Sequence, residues 1–63
     1  MKEGDPVLTS QGEKGIIDHA WDRITKEYDW WVTVTFWSHA KQREFSSRIP
    51  FRASELENFE KSP

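Results

Sequence analysis

With 63 residues, 32% of them charged, 14% aromatic and none cysteine, the chain has room for one domain and for no disulfide framework or thiolate metal site. The formal net charge of -2 argues against a nucleic-acid coat held by bulk charge. No apolar run approaches the ~20 residues of a membrane span, and Met1-Lys2-Glu3-Gly4 leads into no signal-peptide apolar region, so a soluble, cytoplasmic protein is expected.

A chain this short buries only about 60% of the surface that its unfolded form exposes, so the core must come from a few large side chains. Gly4-Asp5-Pro6 is a turn-type opening, followed by Val7-Leu8-Thr9, a short β-prone run. Ser10 to Gly15 supplies two glycines able to take positive φ, and the chain then enters a second strand over Ile16 to Trp21. Asp22 to Asp29 is polar, lacks helical periodicity and is expected to be the longest loop.

Trp30 to Trp37 is the clearest element, a run of β-branched and aromatic residues with period two. Ser38 to Gln42 reverses the chain. Arg43 to Phe51 alternates again, with Phe45, Ile49 and Phe51 on one parity, and Pro50 marks that strand as ending or lying at an edge. Ser54 can cap a single 3₁₀ turn that sets Leu56 inward, after which Glu57 to Phe59 forms a last strand and 60–63 a frayed tail.

Five short strands with one 3₁₀ turn before the last predict an all-β single domain over residues 1–63, a small closed or partly closed barrel, since closure removes exposed edges. Gly4-Asp5-x-Val7, Gly12-x-x-Gly15-x-Ile17, Val32-x-Val34-x-Phe36 and Phe51-Arg52-Ala53-Ser54-Glu55-Leu56-Glu57 follow each other in an order that resembles the SH3-like barrels. The last of these segments resembles the end of small accessory proteins of photosynthetic electron transport: the S-type member of the NADH-dehydrogenase-like complex, the E-type member of photosystem I and the variable chain of ferredoxin-thioredoxin reductase. That resemblance implies a non-catalytic barrel that helps a redox protein such as ferredoxin to dock.

On a strand, Trp30, Val32, Val34 and Phe36 share one face and suit the interior, while Trp31, Thr33, Thr35 and Trp37 share the other. Trp31 and Trp37 are therefore expected to be partly exposed, either covering the barrel outside or anchoring a partner, with Trp21 and Tyr28 extending the same patch. From Ser38 to Arg52, Lys41, Arg43, Arg48 and Arg52 stand against Glu44 alone, and with His39 they form a local basic cluster suited to steering an acidic partner. A homodimer through the tryptophan face is also open.

The alternative is a nucleic-acid-binding barrel. Gly12-Glu13-Lys14-Gly15-Ile16-Ile17 resembles the glycine-containing turn of KOW and Tudor-like barrels, and aromatics interleaved with Arg and Lys can stack bases and neutralise phosphates. Against it, Glu13, Asp18 and Asp22 repel phosphate at that end. An enzyme is not expected. His19 and His39 match no zinc spacing. Asp18 and His19, adjacent on a strand, should point to opposite faces, which removes a base with its orienting acid. The reading therefore includes no catalytic residue, cofactor or metal.

Overall fold

A computed structural model describes residues 1–58. The chain forms five antiparallel strands in one sheet, β1 (Pro6–Thr9), β2 (Lys14–Ala20), β3 (Trp30–Ser38), β4 (Arg43–Phe51) and β5 (Leu56–Asn58), with a single 3₁₀ turn (Ala53–Glu55) before β5. The strands lie in the order β4-β3-β2-β1-β5. Among the described residues there is no α-helix, and so no helix long and apolar enough to cross a membrane. The all-β reading with five strands and one 3₁₀ turn matches this architecture. Phe59 and the 60–63 tail lie outside the described residues.

The sheet has no second layer, so it must supply its own core by curling. Val7 of β1, Ile17 of β2, Val32 and Val34 of β3 and Leu56 of β5 form one buried cluster, on which Trp30 and Phe51 pack from the side. A flat sheet would hold β5 and β3 about 14 Å apart, three strand spacings, so a shared cluster requires the inner face to be strongly concave. Leu56 reaches that cluster at the end of the 3₁₀ turn, as the sequence predicts.

The turn's capping differs from the expectation. Ser54 lies inside the turn, and the orphan amide of Ala53 donates to Asp29 Oδ2 at 2.7 Å while that of Arg52 donates to Glu55 Oε1 at 3.1 Å. A carboxylate 24 residues upstream supplies the cap, which ties the long loop to the start of β5.

Two glycines behave differently from one another. Gly12, at φ 83°, is the turn residue between β1 and β2, where buried Thr9 accepts the amides of Gln11 and Glu13 on its hydroxyl. Gly15 is no turn residue: it is buried within β2 opposite Val34, and a Cβ there would lie 2.6 Å from Val32 Cγ1 and 3.0 Å from the Thr33 carbonyl oxygen. The absence of a side chain at 15 is what lets Val32 fill that volume.

Pairing between β2 and β3 ends at Gly15 and Val34, whereas β3 and β4 stay in register as far as Ser38 and Arg43. Thr35 to Ser38 and Arg43 to Ser46 therefore form a two-stranded arm beyond the core. Phe36 lies in this arm, which corrects its expected interior place: its parity is right, but it lies beyond the last β2–β3 pair and is 39% exposed. Pro50 sits in β4, an edge strand, in agreement with the sequence.

Candidate functional site

The predicted site residues fall into two separate groups, one at each end of β3. The first surrounds the long loop, which runs between β2 and β3. A register shift between Ile17 and His19 bulges β2 at Asp18, and this turns two adjacent side chains toward each other. Asp18 Oδ2 lies 2.9 Å from His19 Nδ1 and also 2.9 Å from Arg48 Nε on β4. His19 Nε2 is 3.6 Å from Asp22 Oδ2. The expectation that Asp18 and His19 face opposite ways is thus overturned by one extra residue in the strand.

Beside them, Trp31 donates its indole N–H to Asp22 Oδ1 at 3.1 Å, and Trp21 donates its own to the Thr25 carbonyl. The Trp21 and Trp31 rings lie 5.3 Å apart, and Tyr28 packs edge-on against Trp21 at 5.1 Å. These contacts hold the loop down over an open pocket of about 490 Å³ lined by Trp21, Asp22, Ile24, Glu27 and Trp31. The Trp31 hydrogen bond, foremost among the causes, holds the Asp22 carboxyl below the ordinary aspartate range. Arg52 closes the other side, donating from Nε to the Glu27 carbonyl at 2.9 Å.

The second group is the arm. Trp37 is 53% exposed on the outer face opposite Glu44. On the inner face Phe36 and Phe45 stack at 6.1 Å, with the Lys41 ammonium 5.3 Å and the Arg43 guanidinium 4.7 Å from the Phe45 ring centre. Such cation–π contacts hold two cations close to an apolar surface. His39 is exposed in the turn at the end of the arm.

The single face expected from the sequence is therefore two. Trp31 and Trp37 lie six residues apart on one strand, roughly 20 Å. Trp21, Tyr28, Arg48 and Arg52 belong to the Trp31 end, where each is engaged by the loop or by Asp18; His39, Lys41 and Arg43 belong to the Trp37 end. The basic residues consequently do not form one patch. Asp18, His19 and Asp22 can be weighed together from the sequence, but strand parity sets the group aside there, because nothing local in Ile17-Asp18-His19 marks a bulge. Among the described residues, no three His, Cys, Asp or Glu side chains are grouped so as to hold a metal ion.

No family model, no curated protein and no solved structure matches this chain.

Proposed function

We propose that this chain is a non-enzymatic interaction module that docks an acidic protein through the β3–β4 arm, with Trp37 as the anchor. The observation that carries the reading is an indole more than half exposed on a ribbon that lies outside the core. Lys41 and Arg43 lie at the same end of the arm, over Phe45 on its other face, and His39 lies in its turn, so an acidic surface is drawn toward the arm by charge and retained by the aromatic ring. Burying about 100 Å² of the indole contributes on the order of 2.5 kcal/mol at 25 cal per Å², the size of a binding hot spot. The Trp31 end plays a different part, since its aromatics are already engaged in seating the loop.

The most concrete form of this reading is a cytoplasmic accessory subunit at which ferredoxin docks in a photosynthetic electron-transfer complex. It is supported by the closing segment Phe51 to Glu57, on which the resemblance to those accessory proteins rests, and five antiparallel strands with a 3₁₀ turn before β5 are compatible with it. A second reading, binding of single-stranded nucleic acid, is favoured by the stacked Phe36 and Phe45 with two cations above Phe45.

The test is a two-dimensional amide spectrum of labelled protein titrated with ferredoxin and, separately, with a single-stranded oligonucleotide. Shifts at the Trp37 indole and over residues 38–45 with ferredoxin, weakened by rising salt and reduced about seventyfold in affinity by Trp37→Ala, are expected. Shifts with the oligonucleotide alone transfer the arm to the second reading. Binding that leaves Trp37 unmoved refutes the assignment of the anchor.

A further inference from the structure

The free edge of β4 carries a pattern that fits a second copy of the same strand. Which residues point their amides outward follows from two hydrogen bonds. The Trp21 amide donates to the Asp29 carbonyl, which turns the amide and carbonyl of the next residue, Trp30, away from β2 and toward β4. The Phe51 carbonyl accepts from the Asp29 amide, so it points back toward β3. Alternation along the strand then directs residues 43, 45, 47, 49 and 51 at β3 and leaves Glu44, Ser46, Arg48 and Pro50 facing away from the sheet. Pro50, which has no N–H to lose, stands on the outward parity, as a proline in a paired strand must.

Glu44, Ser46 and Arg48 thus present unpaired amides and carbonyls on an edge that no loop covers among the described residues. Natural edges are commonly guarded by like charges, bulges or central prolines. Here the proline stands near the end of the strand, and the two charges flanking Ser46 are of opposite sign. We propose that two copies of this chain pair antiparallel through β4, centred on Ser46, to form one continuous sheet.

In that register Ser46 meets the partner's Ser46, and Glu44 meets the partner's Arg48 twice, once on each side of the twofold axis. The three residue pairs exchange about six N–H to O=C bonds. In the monomer Arg48 leans over β3 to Asp18 through its Nε, so meeting the partner's Glu44 uses its Nη groups or turns the side chain back toward the edge. Glu44 makes no ion pair among the described residues. On the inner face Phe45 becomes a diagonal neighbour of the partner's Phe45, about 7–8 Å away, so that apolar surface left open in the monomer is covered. The two arms then point in opposite directions and both Trp37 indoles stay accessible, so pairing does not compete with docking at the arm.

The test is sedimentation equilibrium of the full chain from about 10 µM to about 1 mM. The expected mass rises from 7.5 kDa toward twice that value. Ser46→Pro removes an outward amide and leaves the backbone bonds to β3 in place, giving up the 3.4 Å contact between the Ser46 and Thr35 hydroxyls; it is expected to keep the wild-type circular dichroism and remain at 7.5 kDa throughout. Should that variant misfold, Glu44→Arg decides by itself, because it sets like charges opposite each other at an exposed position and is expected to weaken association at least tenfold. A wild-type chain that stays monomeric at the highest concentration overturns the proposal, as does a folded Ser46→Pro or a Glu44→Arg that associates like the wild type.

Discussion

Replacing Gly15 with alanine adds a single methyl group, and the surroundings of that group set its cost. The added carbon would lie 2.6 Å from Val32 Cγ1 and 3.0 Å from a backbone oxygen, both far inside ordinary contact. Val32 is fully buried and β-branched, so it cannot swing away without leaving its rotamer. The Thr33 carbonyl is held by the sheet. Overpacking of this kind costs about 1–3 kcal/mol. For a chain of this length the whole stability is on the order of 3–9 kcal/mol at 0.05–0.15 kcal/mol per residue, so the variant should melt some 5–20 °C lower. The assay is thermal and urea unfolding followed by tryptophan fluorescence. A second variant tests the cause: Val32→Ala removes the obstructing methyl groups at a cost of about 2 kcal/mol, and adding Gly15→Ala to it should cost less than about 0.5 kcal/mol more. Gly15→Ala as stable as the wild type, or a double variant in which the two costs simply add, refutes the steric account.

Trp31→Ala should destabilise the protein by about 1.5 kcal/mol or more, because it removes the Asp22 hydrogen bond and the ring packed on Trp21, whereas Trp37→Ala should change stability by less than about 0.5 kcal/mol. Urea unfolding of the pair checks this, and equal losses would contradict the division into two groups. Asp29→Ala should cost about 1 kcal/mol through the Ala53 amide that it uncaps, while Ser54→Ala should be nearly neutral; a larger effect at Ser54 reverses the capping assignment. The Asp22 carboxyl is held below its ordinary value of 3.8, so its contribution to seating the loop is present above that value and is lost as the pH falls through the lowered one. An acid titration of the Trp31 indole proton should therefore show a step below about pH 4 that Asp22→Asn abolishes; persistence of the step in the variant rules out this carboxyl as its source.

Strand and loop positions were legible in the residues themselves because a strand writes its period directly into the chain. Trp30 to Trp37 alternates, Asp22 to Asp29 does not, and Pro50 carries its edge position in its own missing N–H. The same local logic placed Leu56 inward and separated the faces of β3 correctly. Parity, however, says which side a residue points to and nothing of whether that side is covered. Phe36 has the parity of Val34 yet lies exposed, because β2 reaches no further than Lys14 and leaves the arm with no strand beside it. Gly15 looked like a turn glycine because its real constraint, the methyl groups of Val32, is contributed by another strand.

The candidate site divides along the same line. Which residue types are present, the tryptophans, the local cations and the lone glutamate among them, is a property of the sequence. Their grouping is not. Asp18 reaches His19 through a bulge, Arg48 reaches Asp18 across β3, and Asp29 caps a turn 24 residues away. Each of these depends on register between segments distant in the chain, a quantity settled by the packing of the whole sheet and written in no single stretch of it.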